Sequence, residues 1–426
     1  MPFEISPIKL VYGGEALGYH SGRTVLVSRV IPSERAEVEE IRTQKGVVHA
    51  RPLRIIETSS RRVKPACPYF GRCGGCQYQH ITVDSQALAK REILRETLRR
   101  LGRITWDAEI PVRSGPAWSY RNQAQLKVGR AEDGSPGLGF FAAESNRLTA
   151  IDTCAILSPR LNALLAELRC DPWMCALARC QEIELLADDH DENVLLTLRG
   201  NWAEQEFESL ANKLLAELAG VVTVAVPRGP GVRTFGEPHL TYRVGECAYR
   251  VSPTAFFQSS RFLLPDLVTS VISGASGAVA IDLFAGVGLF TLPLARRFAR
   301  VVAVESHPQA VADLAANAHT SPGDNIRVVA ETAFDFLRRY AQVAPDLVVL
   351  DPPRAGVGVA ALKLLAALRP ERLVYVSCSP PTLARDLGFM IQHGYKLDAL
   401  EMFDFFPQTY HIESLARLSP NGRERA

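Results

Sequence analysis

The chain has 426 residues, too many for one ordinary domain, and 47% of them are hydrophobic and 22% charged, as is typical of globular proteins. No window approaches the roughly 18 consecutive apolar residues of a membrane span, and the first residues, MPFEISPIKLVYGG, lack the basic and apolar regions of a secretory signal. We therefore expect a cytoplasmic monomer of roughly two to four domains, with no membrane partner. Nine cysteines in such a chain indicate metal binding or catalysis more than disulfides.

The net charge of +2 conceals an uneven distribution along the chain. Residues 51–130 contain 16 Lys and Arg against 6 Asp and Glu, whereas the remainder of the chain is acidic. Such asymmetry is typical of proteins that bind a polyanion. A solvated charged surface is the alternative interpretation.

The N-terminal part has the pattern of a small β-barrel. Residues 9–57 alternate short apolar runs, such as TVLV, with turn signals such as Gly13-Gly14 and Ile31-Pro32. This pattern predicts short strands that close into a barrel. Barrels of this type bind single-stranded nucleic acids through basic grooves and base stacking.

A cysteine-rich loop, CPYFGRCGGCQYQH, follows the barrel. It contains Cys67, Cys73 and Cys76, and two glycines let it fold tightly around a ligand. A closed site needs a fourth thiol, for which Cys154 in IDTCAIL is the candidate. The competitors for this position are Cys170, Cys175 and Cys180. Their spacing of five turns them away from a common helix face, so core or surface positions are favoured for them. Four thiolates hold zinc or an iron–sulfur cluster, and the spacing alone leaves the choice open.

The next segments predict a helix and a mixed α/β region. Residues 84–101, DSQALAKREILRETLRRL, have leucines at helical spacing, with Asp84 as the expected N-cap and Gly102 as the stop. Residues 117–250 contain the strand-like runs QAQLKVG and VLLTL and the helical run LNALLAELR. These runs predict a central α/β domain.

After about residue 278 the pattern changes to regular alternation. The strand-like segments VAIDLF, VVAVES, IRVVAE, DLVVLD and LVYVSC are separated by helical stretches such as PQAVADLAANA. This alternation predicts βαβ units and a parallel sheet. Strands that are apolar throughout are typical of a sheet covered on both faces.

The ends of these strands carry a candidate cofactor site. The first strand runs into DLFAGVGLF, where Gly286 and Gly288 let a ligand approach the backbone closely. Glu305 ends the next strand, where an acid can accept hydrogen bonds from ribose hydroxyls, and Asp351 follows the fourth strand in DPPR. With Asp282, these acids resemble the pattern of class I S-adenosylmethionine-dependent methyltransferases. A Rossmann-like dehydrogenase is the alternative, disfavoured by the missing third glycine and by the DPP motif.

One cysteine lies where the fifth strand stops. Cys378 stands before two prolines in VYVSCSPPTL. A thiolate there can add to carbon 6 of a pyrimidine, which gives carbon 5 the enolate character it needs to accept a methyl group. A small buried core residue is the alternative. Arg354 follows DPP, where enzymes that methylate exocyclic amines usually carry an aromatic residue and cytosine-C5 enzymes often carry a cysteine, so both chemistries lose support.

The stretch FDFFPQTYHIESLARL supplies a candidate base. His411 and Glu413 alternate with Ile412, which in a strand would place both on one face. The aromatic and proline context predicts a poorly solvated site, where burial raises the pKa of a carboxyl group towards a value useful for a base. A solvated surface carboxylate is the alternative for Glu413.

These segments resemble the RNA uracil-C5 methyltransferase family over nearly the whole chain. The resemblance rests on VSCSPPTLARDL, FPQTYHIESLARL, DLFAGVGLFTLPLA, DPPRAG and SPTAFFQ. It implies that Cys378 is the nucleophile and Glu413 the proton-abstracting base. The resemblance and the glycine turn together imply a set of contacts to S-adenosylmethionine. These are Gln258, Phe284, Gly286, Glu305, Asp351 and Thr332, with Glu331 as the alternative to Thr332. Leu289 and Ser260 depart from the family, because many members have asparagine there.

The resemblance also implies a metal cofactor and an RNA substrate. The ribosomal branch of the family carries a 4Fe-4S cluster on the cysteine pattern, which falls on Cys67, Cys73, Cys76 and Cys154, with zinc as the alternative. The barrel resembles the TRAM domain. Because the barrel and the cysteine motif are both present, 23S rRNA is the expected substrate and the T-loop of tRNA the alternative. A non-catalytic RNA-binding protein and an iron–sulfur redox protein are the alternatives of another class.

The family's architecture implies three parts and a set of RNA contacts. The expected domains are a TRAM-like OB barrel at 1–58, a central α/β domain with the cluster at 59–83 and 117–250, and a Rossmann-like catalytic domain at 84–116 and 251–426. Expected RNA contacts include a stacking tyrosine and phosphate-binding cations. They are Tyr120, Arg61, Arg62, Lys64, Arg72, Arg121 and Lys127.

Overall fold

The computed structural model describes residues 2–229, 231–340 and 344–422. These residues form three larger sheets and one separate hairpin. The predicted fold class is confirmed, because an OB-like half-barrel and a central α/β sheet precede a Rossmann-like sheet. Within the described ranges, no helix combines the length and the apolar character needed to cross a bilayer.

The N-terminal sheet has six strands and curls into a half-barrel. Its strands are β1 Phe3–Ile5, β2 Lys9–Leu10, β3 Glu15–His20, β4 Arg23–Ser28, β5 Arg35–Gln44 and β6 Val47–Glu57. They are hydrogen-bonded in the order β1-β5-β6-β4-β3-β2. Every second residue of β4 is buried, so Val25 and Val27 point into the core of the half-barrel.

The central sheet has seven strands, of which only β12 and β13 pair in parallel. The strands from residue 112 onward are β7 Val112–Ser114, which joins the C-terminal sheet, and the central strands β8 Gln123–Arg130, β9 Pro136–Phe141, β10 Leu148–Ala150, β11 Cys180–Ala187, β12 Val194–Gly200, β13 Val221–Arg228 and β14 Gly231–Gly236. Their order is β10-β9-β8-β11-β12-β13-β14. The predicted strands QAQLKVG and VLLTL are β8 and β12.

The C-terminal sheet has eight strands and positions the cofactor-type residues. A separate hairpin, β15 Leu240–Val244 and β16 Cys247–Val251, precedes it. Besides β7, the strands of the sheet are β17 Gly277–Leu283, β18 Phe298–Glu305, β19 Ile326–Ala330, β20 Leu347–Leu350, β21 Arg372–Ser377, β22 Tyr395–Asp404 and β23 Glu413–Pro420. The order is β19-β18-β17-β20-β21-β23-β22-β7, and β17 to β21 are mutually parallel. Because the strand order reverses between β17 and β20, their carboxyl ends open a crevice for a ligand.

Helices cover both faces of this sheet, as the uniformly apolar strands predicted. These helices are α1 Val83–Thr97, α5 Leu264–Ile272, α6 Thr291–Ala295, α7 Pro308–His319, α8 Ala333–Arg339, α9 Val359–Leu368 and α10 Pro380–Gln392. The helices α2 Pro159–Leu168, α3 Trp173–Ala176 and α4 Glu204–Glu217 pack against the central sheet. Leu362 of α9 and Leu383 of α10 pack in one core cluster. Leu267 of α5 and Leu292 of α6 pack in the other.

The predicted helix at 84–101 is present, but its ends differ from the prediction. Thr82 is the N-cap and Asp84 lies in the first turn, so the assignment of Asp84 as the cap was wrong. The helix already begins at Val83, and Asp84 faces the positive end of the helix dipole. A π-helical turn, Leu98–Gly102, continues α1, and Arg103, with a left-handed φ of 55°, ends it.

Glycine at 102 is required by a close crossing with α10. A Cβ at Gly102 would lie 2.6 Å from the carbonyl oxygen of Ala384, and one at Gly388 would lie 2.7 Å from the carbonyl oxygen of Gly102. Further along the chain, β7 pairs in parallel with β22. The segment from α1 to β7 therefore packs on the C-terminal sheet, although it precedes the central sheet in sequence.

Candidate active site and cysteine cavity

A cavity of about 750 Å³ opens at the carboxyl ends of β17, β18, β20 and β21. Residues predicted from six separate stretches of sequence line it, together with Arg354 and His411. The predicted residues that the structure brings together are Gln258, Phe284, Gly286, Glu305, Asp351, Cys378 and Glu413. The cavity therefore combines the expected cofactor residues with the expected nucleophile and base.

The turn after β17 has an unusual backbone. Phe284 and Gly286 both have left-handed φ angles, of 63° and 55°. For phenylalanine this conformation costs on the order of 1–3 kcal/mol, and such strain is concentrated at functional sites. A Cβ at Gly286 would meet no atom within 4 Å, so its backbone faces open space in which a ligand can approach closely.

Glu305 is held rigidly by backbone donors. One carboxylate oxygen accepts a hydrogen bond from Gly286 N at 2.9 Å, and the other accepts bonds from Ser306 N and His307 N, both at 2.7 Å. A carboxylate has about four lone-pair sites, so Glu305 can still accept from ligand hydroxyls. The geometry fits a ribose-binding acid at the end of the second strand.

Two further acids lie near the turn, at different depths. Gln258 Nε2 donates to Asp351 Oδ2 at 3.3 Å, and burial raises the pKa of Asp351 to about 7. Asp282 is fully buried, and its Oδ2 accepts a 2.6 Å hydrogen bond from the hydroxyl of Thr291. Burial also raises the pKa of Asp282 to about 7. Asp282 is not among the residues that line the cavity, so it supports the turn from below.

Cys378 is half-buried between the end of β21 and the start of α10. Its thiol pKa is raised to about 11, first by burial and then by the charges of Glu413 and Asp351, whereas Arg354 lowers it. The ligand-free protein therefore holds this sulfur as a thiol at neutral pH. Formation of the thiolate depends on positive charge brought to the cavity.

The predicted base lies beside the thiol. Glu413 is the first residue of β23 and is buried, and its pKa is raised well above the usual value, first by burial and then by Asp351. His411 precedes the strand, so the expected alternation along a strand was wrong, although both side chains line the cavity. Burial and Arg354 lower the pKa of His411 to about 4, which keeps its ring neutral.

The raised pKa of Cys378 predicts a steep pH dependence of alkylation. The thiolate is the reacting form, and its fraction rises about tenfold per pH unit below the pKa. Iodoacetamide should therefore modify Cys378 of the ligand-free protein at a rate that keeps rising up to about pH 10. Site-resolved mass spectrometry measures this rate, with the exposed Cys170 as the internal reference for the reagent. A plateau near pH 8.5, the value of an ordinary thiol, would contradict the assignment.

Thr332 is not brought to the cavity. It is the N-cap of α8, where its hydroxyl oxygen accepts from Asp335 N at 3.1 Å and donates to Asp335 Oδ2 at 2.7 Å. Its alternative, Glu331, pairs with Arg339. Neither residue is among those that line the cavity.

The predicted RNA contacts occupy different environments. Tyr120 is only 1% exposed and its hydroxyl donates to the carbonyl of Pro407 at 3.0 Å, so its assignment as a stacking residue was wrong. Arg62 is paired with the buried Glu34 and remains only partly exposed. Arg121 lines the cavity. Sequence reasoning missed Phe256, which is 67% exposed at the cavity, although an aromatic pair in SPTAFFQ was the available signal.

The four predicted cysteine ligands line a second cavity, of about 220 Å³. Burial, and to a smaller extent the neighbouring thiols, raise the pKa of Cys73 to about 11 and that of Cys76 to about 12. The full set is Cys67, Cys73, Cys76 and Cys154. The competitors Cys170, Cys175 and Cys180 are not among its lining residues, which favours Cys154 as the fourth member.

The four thiols line the wall of a cavity and do not converge on a single metal position. Among the described residues, no three His, Cys, Asp or Glu side chains are close enough to hold one metal ion. The two cavities are neighbours, because Arg121 and Gln125 line both. The cysteine loop, distant from Cys378 in sequence, is therefore close to the active-site cavity in space.

The strand order and the cavity define the class of protein. The parallel strands carry an open backbone turn after the first strand and acids at the ends of the second and fourth strands. This arrangement is that of a Rossmann-like S-adenosylmethionine-dependent methyltransferase. The sequence model of the tRNA (uracil-5-)-methyltransferase family matches residues 83–420, and the chain belongs to this family.

Similar proteins extend over nearly the whole chain. An uncharacterized RNA methyltransferase of Aquifex aeolicus is 32% identical, over 98% of this chain and 98% of its own. The 23S rRNA (uracil(1939)-C(5))-methyltransferase RlmD of Alkalilimnicola ehrlichii is also 32% identical, over 97% and 96%. The crystal structure of Pyrococcus abyssi tRNA (uracil-54, C5)-methyltransferase in complex with S-adenosyl-L-homocysteine has a TM-score of 0.73 at 23% identity, covering 97% of this chain and 100% of that chain.

Proposed function

We propose that this protein methylates carbon 5 of a uridine in 23S ribosomal RNA through a covalent adduct with Cys378. The observation that carries the proposal is the convergence of Cys378, Glu413 and Asp351 in one cavity. Full-length relatives named as 23S rRNA enzymes favour ribosomal RNA over tRNA. The similarity to the archaeal tRNA enzyme, at 23% identity, supports the fold alone.

The nucleophilic step belongs to Cys378. Its thiolate adds to carbon 6 of the uracil, and the displaced electron pair gives enolate character at carbon 5. Bound S-adenosylmethionine supplies the methyl group that carbon 5 accepts. Arg354 is the cation beside the thiol and opposes the two carboxylates that disfavour the thiolate.

The final step belongs to Glu413. Its carboxylate removes the proton from carbon 5, the double bond between carbons 5 and 6 re-forms, and the sulfur of Cys378 leaves as a thiolate. The raised pKa of the buried Glu413 allows it to keep this proton until the product departs. His411, held neutral, adds no competing charge beside the reacting ring.

Residues of the first cavity would bind the cofactor. Glu305, fixed by three backbone donors, would accept from its ribose hydroxyls, and the open backbone at Gly286 would allow its close approach. Phe284, Gln258 and Asp351 complete the proposed set. Thr332 is not included, because its hydroxyl caps α8.

Mapping 5-methyluridine in cellular RNA tests the substrate. In a strain that lacks this gene, we expect one or more 23S rRNA uridines to lose the methyl group while tRNA remains methylated. Expression of the wild-type chain should restore the modification. Loss from tRNA alone, or an unchanged methylation pattern in both RNAs, would contradict the proposal.

We also propose that the cysteine cavity holds a 4Fe-4S cluster. A zinc ion bound at about 2.3 Å would draw four sulfurs to within about 3.8 Å of one another, whereas these thiols line a cavity. Their burial disfavours four isolated thiolates, which a polynuclear iron centre would stabilise. We assign this cluster a structural role, because methyl transfer requires no electron.

The metal content of the protein checks this assignment. Anaerobically purified protein should contain about four irons per chain and absorb near 400 nm. Cys154→Ser should lower the iron content strongly, whereas Cys175→Ser, at an exposed position outside the cavity, should not. Stoichiometric zinc without iron would contradict the proposal.

The domain assignment is likewise a proposal. Residues 1–58 would form the RNA-binding barrel and 59–83 with 117–250 the central domain. Residues 84–116 and 251–426 would form the catalytic domain. The assignment of residues 84–116 to the catalytic domain is supported by the crossing of α1 with α10 and by the pairing of β7 with the C-terminal sheet.

We further propose that the protein acts as a monomer. We also propose that Arg121 contacts the RNA backbone, because this residue borders both cavities.

A further inference from the structure

The segment 404–412 joins β22 to β23 and leads directly into Glu413. Helix α1 and the residues that follow Cys76 both form hydrogen bonds with it. If Glu413 is the base of the proposed reaction, the position of this segment controls how closely the base approaches its proton.

Gln86 of α1 is the centre of these contacts. It is fully buried, and its Oε1 accepts a 2.7 Å hydrogen bond from the backbone N–H of Gln408. Its Nε2 donates to the side-chain oxygen of Gln408 at 3.0 Å and to the carbonyl of Ile81 at 2.8 Å. One side chain therefore binds both the backbone and the side chain of Gln408.

Gln408 is held in a conformation that needs such support. Its φ is 69°, in the left-handed region that glutamine rarely adopts. Its carbonyl accepts hydrogen bonds from the backbone N–H groups of Gln77 at 3.0 Å and Tyr78 at 2.9 Å. Because these residues directly follow Cys76, the cysteine loop and α1 hold the same residue of the segment.

Lys90 supplies a second attachment, one helical turn beyond Gln86. Its ammonium group is fully buried and donates to Asp404 Oδ1 at 2.7 Å and to the carbonyl of Phe406 at 2.8 Å. Asp404 is the last residue of β22, so the ion pair anchors the start of the segment. Removing one partner would leave an unpaired buried charge.

We propose that Gln86 and Lys90 are positioning residues for proton abstraction, and that the cysteine loop acts on the same step through Gln408. This inference rests on the proposed function. Cys378 lies at the end of β21, outside these contacts. Loosening the segment should therefore affect the action of Glu413 more than formation of the adduct.

The test compares Gln86→Leu with Leu88→Gln, a control at a 51% exposed position of the same helix. A misplacement of about 1 Å can cost about 100-fold in rate, so we expect the turnover of Gln86→Leu, measured as released 5-methyluridine RNA, to fall about 10- to 100-fold. The rate of adduct formation with 5-fluorouridine RNA should stay within about twofold of wild type, because that adduct cannot lose its C5 substituent as a proton. The covalent intermediate on ordinary uridine RNA should accumulate.

Two additional measurements keep the inference testable if Gln86→Leu folds poorly. Gln86→Glu preserves the side-chain volume and the hydrogen bond from Gln408 N but loses the hydrogen bonds that Gln86 donates. It should also lower turnover while leaving the rate of adduct formation with 5-fluorouridine RNA nearly unchanged. Hydrogen exchange in residues 405–411 should accelerate in Cys76→Ser. Equal losses of adduct formation and turnover, or unchanged turnover in both Gln86 variants, would overturn the inference. Failure of the wild type to form 5-methyluridine would instead reject the proposed function.

Discussion

Replacing Cys378 with alanine should abolish methyl transfer to RNA. Without the thiolate, carbon 5 of uracil is too poor a nucleophile to accept the methyl group, and no other cysteine lines the active-site cavity among the described residues. Loss of a covalent nucleophile typically lowers kcat by on the order of 10⁴-fold or more. Steady-state transfer of a labelled methyl group to RNA measures the effect.

The control for this variant is Cys175→Ala, at an exposed position outside both cavities. It should keep the activity of the wild type. The alanine variant at 378 should still bind RNA, because the proposed contacts lie elsewhere. Activity within about tenfold of wild type would show that the reaction proceeds without this sulfur.

Replacing Glu413 with glutamine should arrest the reaction after methyl transfer. The amide cannot take up the carbon 5 proton, so the thiolate cannot leave and methylated RNA should remain bound to the protein. Removal of a general base typically lowers turnover 10²–10⁴-fold, roughly. Denaturing gel electrophoresis should show a slower band, containing both RNA and protein, that accumulates with time.

Glu401→Gln is the matched control, because Glu401 is a carboxylate of β22 that pairs with Arg417 and is not among the cavity residues. It should turn over normally and accumulate no adduct. If Glu413→Gln released methylated RNA at the wild-type rate, another group would have to be the base.

The catalytic sheet was predictable because each strand is a short apolar run that ends in a polar residue with a chemical role. The carboxyl ends of parallel strands meet at one edge, so Glu305, Asp351 and Cys378 were expected to converge, and the structure places them in one cavity. The family resemblance supplied their roles. Local sequence alone left the alternatives of core cysteine and surface carboxylate open.

Other features depend on tertiary contacts that no local pattern shows. The sequence predicts Tyr120 as an exposed stacking residue, but its hydroxyl is buried against Pro407. Thr332 caps a helix instead of reaching the cavity. That Arg121 borders both cavities depends on how the central and C-terminal sheets pack together. The network around Gln408 joins residues more than 300 positions apart in the chain.

The central claim is that the sulfur of Cys378 bonds to the pyrimidine during methyl transfer. The most direct measurement is mass spectrometry of the protein after incubation with S-adenosylmethionine and RNA that carries 5-fluorouridine at the target position. After nuclease and protease digestion, we predict a methylated fluorouridine nucleotide attached to the peptide that contains Cys378. An adduct on a different residue, or normal methylation of uridine RNA without any trapped adduct, would contradict the account.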